Sequence, residues 1–335
     1  MVIKESRVYM IVRIFVLVFF LAMGNYSFAV DYKRVDKYAR SIHKTGNYKD
    51  LAKKLTTPFT TQEEKVRSIF IWITHNIKYD YRKFKSNQRK GGYRIKGRSK
   101  REIAIKRKKL RDRRVATTYR TGKGVCEDYS YLFQYMCKAI GIKAKYITGV
   151  TKTSPNQIGK YPKHSAHAWN AVKIDNKWYL LDATWAAGTV DHRTGRYHRD
   201  YHEGFFLTSP KFFVLNHFPD KSKWQLLKKP VTKQQFKNFA YPHGEFFVSK
   251  DIIDFYPKSA YLSAKKKYSI VKIKYKGQIP NIVIYRRGKI VELKHNIVNN
   301  EIIFKIPTYA KYYRSVVLGV KKGKKIKPLL EYKIK

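Results

Sequence analysis

Apolar residues recur at helical spacing through Val35, Tyr38, Ala39 and Ile42 until Gly46 interrupts them, so residues 35–55 read as a helical lead-in. Thr61-Gln62-Glu63-Glu64 then has the form of a capping box, in which the threonine hydroxyl takes a first-turn N–H and Glu64 reaches back to the cap. The helix it opens carries Val66, Ile69, Phe70, Ile73 and Ile77 on one stripe, an ordinary core face with Trp72 near its edge. Between Tyr81 and Lys123 the period fades, basic residues dominate, and Glu102 and Asp112 are the only carboxylates. Most of this stretch reads as solvated loop. Lys85 to Gly97, with Gly91-Gly92, is too polar to offset the entropy of ordering, whereas Ser99 to Arg114, with Ile103, Ile105 and Leu110, can form one basic helix.

A new amphipathic period starts at Gly124. Cys126, Tyr129, Phe133, Met136, Cys137 and Ile140 share one helical face, Gly141 stops the helix in a left-handed turn, and Ile142 to Val150 reads as a strand. Thr151 to Ser165, with Pro155, Gly159 and Pro162, is a loop. Along the strand Ala166 to Ile174, alternation puts His167, Trp169 and Ala171 on one face. A two-residue turn at Asp175-Asn176 pairs the strand Lys177 to Thr184 so that Asp182 lies opposite Trp169 and diagonal to His167, on the same face. A three-residue loop without a bulge would send Asp182 to the other face.

Thr232 to Tyr241 reads as a connecting helix and linker, ended by Pro242-His243-Gly244. Short alternating runs follow at Tyr268 to Tyr275, Ile282 to Arg286, Ile290 to Leu293, Glu301 to Ile306, Ser315 to Val320 and Leu329 to Ile334. With turns at Lys276-Gly277, Arg287-Gly288 and Lys322-Gly323, they predict a small antiparallel β-sandwich of immunoglobulin-like type over residues 245–335, with nothing catalytic in it.

Chemistry concentrates between those regions. Cys126 opens a helix, where the dipole favours a thiolate; His167 can accept its proton; Asp182 can hold the imidazole in the useful tautomer. Glu127 and Asp128 follow in the first turn but project away from the Cys126 face at helical spacing. The segments Gly124-Val125-Cys126-Glu127-Asp128-Tyr129, His167-Ala168-Trp169-Asn170 and Leu181-Asp182-Ala183-Thr184-Trp185, in this order, resemble the transglutaminase-like superfamily of Cys-His-Asp enzymes. Within it the likeness is to the kyphoscoliosis-peptidase branch. Arg67-Ser-Ile-Phe-Ile-Trp-Ile-Thr-His-Asn-Ile-Lys-Tyr-Asp80 precedes the cysteine block, and Phe206-Leu-Thr-Ser-Pro210, His217-Phe-Pro-Asp220 and Trp224-Gln-Leu-Leu227 follow the aspartate block.

The resemblance covers residues 35–240 and breaks at a basic insertion over 82–122. It implies an α+β chain whose catalytic domain, residues 30–240, is transglutaminase-like or papain-like, a helical N-terminal part packed on an antiparallel sheet. In that domain Cys126 would be the nucleophile, His167 the base and then the acid, and Asp182 the orienter, without a cofactor. The family pattern also places an upstream aromatic donor beside the Cys126 backbone N–H to hold an oxyanion; Tyr79 is the first candidate and Trp72 the second. Trp169 and Trp185 can wall the cleft or serve as core aromatics. His164, His192, His198 and His202 lack cysteines or paired carboxylates around them, so no zinc site is expected, and no acidic loop offers calcium a place.

The chain of 335 residues is long enough for a catalytic domain and a small second one. Lys4, Arg7 and Arg13, the apolar run Ile14 to Met23 and Ser27-Phe28-Ala29 have the form of a signal peptide, residues 1–29, cleaved after Ala29, which implies a secreted or periplasmic protein. That run is about half the roughly 20 residues a membrane span needs. Beyond it only Cys126 and Cys137 remain. Eleven residues apart on one helix they are separated by about 16 Å, too far for a disulfide, and Cys137 is expected to be a small buried hydrophobe. A formal charge of +50 must attract polyanions such as wall polymers, lipid head groups or nucleic acid. Lysines spread along the whole chain, as a biased background composition would also produce, and no nucleic-acid motif is present.

The expectation is an exported cysteine-dependent acyl-transfer enzyme that forms a thioester with a peptide carbonyl or a glutamine side chain. Water as acceptor gives a peptidase or deamidase and an amine gives a transglutaminase; the branch resemblance favours hydrolysis. The alternative is a non-catalytic cationic envelope or adhesion module on the same scaffold, with an inert Cys126 and salt-dependent polyanion binding.

Overall fold

The computed structural model describes residues 30–335 apart from 90–94, 164–165, 192, 266, 278–280, 287–288, 293–294 and 309–314. The expected leader at 1–29, Gly91-Gly92, His164, His192 and the Arg287-Gly288 turn lie outside the described residues. No helix among the described residues is long and apolar enough to cross a membrane.

Three helices open the chain: α1 (Tyr32–Ser41), α2 (Tyr48–Thr56) and α3 (Gln62–Asn76). The capping box of α3 is complete, Glu64 N–H donating to Thr61 Oγ1 at 3.2 Å and Thr61 N–H to Glu64 Oε2 at 3.2 Å. α3 is buried on nearly every side, including Ile69, Phe70, Ile71, Trp72 and Ile73, each such side chain contributing about 1.5–3 kcal/mol. One guanidinium, Arg67, is buried with them. It bridges Asp36 on α1 and Glu203, each at 2.7 Å, as a charge taken out of water requires.

The basic stretch expected to be mostly loop is mostly helical instead. After β1 (Lys78–Tyr79) come α4 (Tyr81–Arg89) and α5 (Lys100–Thr121). The Ser99 hydroxyl accepts the Glu102 N–H at 3.1 Å and Gly122 ends α5 at φ 64°. Lysine, arginine, alanine and leucine are strong helix formers, so the missing apolar period marks exposure rather than lack of helix. Only the last turns of α5 reach the core, through Val115, Thr118 and Tyr119. β2 (Lys123–Gly124) then pairs in parallel with β1, Tyr79 opposite Gly124, and feeds α6 (Cys126–Ala139).

β3 (Ala144–Thr151), β4 (Ala166–Ile174) and β5 (Lys177–Leu181) follow, then α7 (Ala183–Ala187), the hairpin of β6 (Gly188–Val190) and β7 (Tyr197–Arg199), α8 (Pro210–Phe213) and β8 (His217–Pro219). One antiparallel sheet has the order β5-β4-β3-β8, with α6 on it. Asn170, buried in β4, fastens the layers by donating to Ser130 O on α6 at 3.0 Å and to Lys145 O at 3.1 Å. Asp175 and Asn176 both have positive φ, 45° and 65°, the two-residue turn that fixes Ile174 opposite Lys177.

α9 (Lys233–Asn238), β9 (Tyr241–Pro242) and α10 (Gly244–Val248) lead into a sheet-rich C-terminal region. It comprises β10 (Ile252–Tyr256), β11 (Tyr261–Leu262), β12 (Tyr268–Tyr275), β13 (Ile282–Arg286), β14 (Lys289–Glu292), β15 (His295–Val298), β16 (Glu301–Pro307), β17 (Ser315–Lys322) and β18 (Lys325–Ile334). One sheet runs β10-β12-β16-β15; the other runs β11-β18-β17-β13-β14, with β9 also on β18. Alternation in the sequence does not mark β10 or β15. The latter is an exposed edge joined to β16 by an Asn299-Asn300 turn at φ 48° and 60°.

Candidate active site

Cys126 owes its position to the short parallel ladder before it. Lys78 N–H donates to Gly122 O at 2.8 Å and Asp80 N–H to Gly124 O at 2.9 Å, so β1 holds the strand that ends at the cysteine. Gly124 is required here, because a Cβ would come within 2.7 Å of Asp128 Cβ. Val125 N–H donates to Asp128 Oδ2 at 2.8 Å, the half of a capping box that a valine cap permits. Asp128 also receives Lys83 Nζ at 2.6 Å, while Arg114 pairs with Glu127 and stands 3.7 Å from Asp128 Oδ1. Both first-turn carboxylates are thus matched by cations of the basic insertion.

Asp182 is wholly buried and caps α7, its Oδ1 accepting the N–H groups of Thr184 at 2.8 Å and Trp185 at 3.0 Å. The strand expected to reach Thr184 stops at Leu181, opposite Asn170. Its ladder ends there because the Asp182 N–H turns to Phe205 O at 2.9 Å and the side chain starts a helix. The register still leaves Asp182 on the His167 side, where Oδ2 lies 2.5 Å from His167 Nε2. With Nε2 engaged, Nδ1 is left for the Cys126 thiol, which interacts directly with the ring. Cys126 and His167 meet in a cleft of about 630 Å³ whose walls include Tyr79, Phe84, Trp185 and Tyr241.

Burial by itself disfavours a protonated His167, but the Asp182 charge and then Cys126 outweigh it and push the imidazole up to about 10. Burial also opposes the Asp182 charge, yet His167 and the other donors hold that carboxyl far below its usual range. The result is a buried carboxylate whose partner imidazole, beside a thiol at a helix start, can take and hold the thiol's proton as an imidazolium, an arrangement able to generate a thiolate and to shuttle one proton.

Residues 49–183 match the model of the transglutaminase-like superfamily. They form a transglutaminase-like domain. The chain is 33% identical over 231 residues to kyphoscoliosis peptidase of Homo sapiens, covering 68% of this chain and 32% of that protein. It is 27% identical over 237 residues to hillarin of Drosophila melanogaster, covering 66% of this chain and 26% of that one. It therefore spans about a third or less of these relatives' length. One solved structure, described as a TGase, superposes over 60% of this chain and 42% of its own at a TM-score of 0.28 and 16% identity, too loosely to bear on the site.

The transglutaminase-like domain brings Cys126, His167 and Asp182 together, and strand pairing sets Tyr79 beside them in the cleft. Burial, then the nearby Cys126 and carboxylates, keeps the Tyr79 hydroxyl protonated far above its ordinary range, so it is a donor. Trp72, the other oxyanion candidate, is excluded: it is buried away from the cleft and its Nε1–H donates to Ile42 O at 2.9 Å. Trp185 lines the cleft, whereas Trp169 is buried, its ring 6.1 Å from that of His167. His202 lines the cleft wall and its Nδ1 accepts the Gly204 N–H at 3.2 Å; His198 is exposed on β7. Cys126 and Cys137 are both free, and burial pushes the Cys137 thiol far up.

Sequence reasoning gave no role to His217, although it stands in the His217-Phe-Pro-Asp220 signature. Its Nε2 lies 3.2 Å from Asp182 Oδ2, making it the second imidazole on that oxygen. His167, Asp182 and His217 thereby place three metal-ligating atoms within 4.8 Å of one another. Both Nε2 atoms already point at one Asp182 oxygen, so an ion there would have to displace the hydrogen bonds that orient His167.

Proposed function

We propose that the chain is a cysteine-dependent acyl-transfer enzyme acting on peptide or glutamine amides. The observation that carries this reading is the buried Asp182–His167 pair with Cys126 on the other side of the imidazole, opening on a cleft. Cys126 gives its proton to His167 Nδ1 and the thiolate attacks the amide carbonyl, forming a C–S bond. The oxyanion accepts hydrogen bonds from the Cys126 backbone N–H and the Tyr79 hydroxyl. His167 returns its proton to the leaving amine as the C–N bond breaks, leaving a thioester. Water, deprotonated by His167, then releases the acid and restores the thiol. Hydrolysis is favoured over transamidation by the likeness to kyphoscoliosis peptidase; an amine taking the place of water would give a crosslink instead.

Incubation with casein separates the acceptors. New amino termini mark a peptidase, ammonia release without amine incorporation a deamidase, and incorporation of a labelled primary amine a transglutaminase. All three should vanish in Cys126→Ala. None of the three, together with a Cys126 alkylation rate that His167→Ala does not change, sinks the reading.

A second reading, polyanion binding, is favoured by α5. Its first half is exposed around Arg101, Arg107 and Lys109 and presents no apolar stripe for a lipid surface. Salt-dependent retention on heparin that persists in Cys126→Ala and falls when those three are replaced by glutamine would separate this surface from the cleft.

A further inference from the structure

Asp182 offers its carboxylate oxygens to four donors: Oδ1 to two backbone N–H groups, and Oδ2 to His167 and His217. His217 is held for this contact. Its side chain is fully buried, and its ring stacks on Phe213 at 4.0 Å and lies 4.5 Å from Trp185 and 5.2 Å from Trp169. Strand pairing of Thr151 with His217 fixes its backbone. We infer that His217 is a positioning residue that donates to Asp182 and thereby sets how firmly His167 holds its proton. This role presupposes the acyl-transfer reading above.

Proton accounting decides the tautomer. Burial first, and the His167 charge with it, outweigh the attraction of Asp182 and pull His217 down to about 4, so it is neutral and carries one N–H. Placed on Nδ1, that proton would leave the Nε2 lone pair facing an anionic oxygen. Placed on Nε2, it donates to Asp182, and Nδ1 becomes the acceptor. The atom 2.6 Å from Nδ1 is Asn216 Oδ1, so this tautomer requires the Asn216 amide to be turned, its N–H rather than its carbonyl toward the ring. The ionisable groups facing the pair are Cys126 on α6, Tyr79 on β1 and His217 on β8, with Lys85, Asp200 and His202 along the outer cleft.

A carboxylate that loses a donor draws harder on those remaining. Without His217, Asp182 holds the His167 proton more strongly, and the imidazolium persists to higher pH. Iodoacetamide alkylation of Cys126 in the intact chain, followed from pH 4 to 11, reads this without a substrate. The unsubstituted protein should show a plateau whose upper edge is loss of the imidazolium. His217→Phe keeps an aromatic ring and should raise that edge by about one pH unit, the effect of one hydrogen bond to a charged group. His217→Gln, which returns an N–H near the same place, should bring it back.

An upper edge unmoved in His217→Phe overturns the assignment while leaving the acyl-transfer reading intact. Absence of any plateau in the unsubstituted protein removes that reading and the role of His217 with it. Imidazole nitrogen NMR of the unsubstituted chain tests the tautomer without a variant. A neutral His217 protonated at Nε2 from pH 6 to 9 is expected, and an Nδ1–H tautomer or a titration in that range overturns the proposal.

Discussion

The half of the molecule before residue 240 and the strands after it bury different things. Among the described residues, the buried polar and charged side chains include Glu64, Arg67, Asp128, Lys152, Asn170, Asp182, Asn216 and His217 in the first half, but only Glu245 and Thr308 beyond it. The later strands fill their interior with Val271, Ile273, Phe304, Val316, Leu318 and Leu330. A buried polar group costs stability unless partnered, so a fold retains a cluster of them only where every member has a donor or acceptor and the geometry is needed. The contrast points to chemistry in the first half and to packing in the second.

Breaking the first half at its centre should have the largest effect. Cys126→Ala is expected to reduce amide cleavage to background, and Asp182→Asn to lower kcat by about 10³- to 10⁴-fold while the fold is retained, measured by turnover and circular dichroism. Next comes Arg67→Met, which leaves Asp36 with Arg40 at 3.9 Å and Glu203 with the Tyr201 hydroxyl at 2.8 Å in place of a shared buried guanidinium, and is expected to cost about 3 kcal/mol in urea unfolding. Because Glu203 opens the turn whose Phe205 O receives the Asp182 N–H, alkylation of Cys126 should slow as well. Leu318→Ala in β17 is expected to cost a similar 2–5 kcal/mol yet leave that alkylation unchanged. A fall in thiol reactivity there would break the contrast.

The same contrast predicts how stability follows pH. The folded pKa of His167, about 10, lies above its unfolded value, so its contribution is complete below about 6.5 and is lost as pH rises through 10. His217, held at about 4, behaves in reverse: its contribution is present above about 6.5 and is lost as pH falls through 4, and the depressed Asp182 acts in the same direction. The stability contributed by these three residues should therefore peak between these limits. Asp182→Asn should flatten the alkaline limb, and an unchanged alkaline limb would show that the pair does not stabilise the fold.

How much of this was legible in the sequence depended on whether local chemistry or distant partners decided the outcome. The Asp175-Asn176 turn is local, so parity alone set Asp182 on the His167 face, and the capping box at Thr61 was equally readable. The helicity of α5 was obscured because an exposed basic helix has no apolar period, although its residues favour helix one by one. Trp72 passed as an oxyanion candidate because nothing in the sequence reveals that its N–H is taken by Ile42. His217 escaped for a related reason. It lies 35 positions from Asp182 on another strand, and a histidine amid Phe213 and Phe218 reads as packing until the sheet brings it to the carboxylate.

A last effect lies at the seam between the two halves. Lys152 follows β3 directly, is fully buried, and donates to Phe236 O at 2.9 Å and Phe239 O at 3.2 Å at the end of α9, with its Nζ 4.9 Å from the Phe236 ring. Those carbonyls favour the ammonium, but burial outweighs them and lowers the amine to about 7. A depressed folded pKa means that the contribution of Lys152 is present above about 10.5 and is lost as pH falls through 7. Lys152→Met keeps the apolar stem and removes the titration. It should therefore gain on the unsubstituted protein by about 3–4 kcal/mol as pH is lowered from 10 to 7 and hold a nearly constant difference below about pH 6. The limbs due to His167, His217 and Asp182 are common to both proteins and cancel in the difference. If the two unfolding curves instead stay parallel across this range, the amine keeps its charge in the fold, and the carbonyls at the end of α9 must outweigh the cost of burying it.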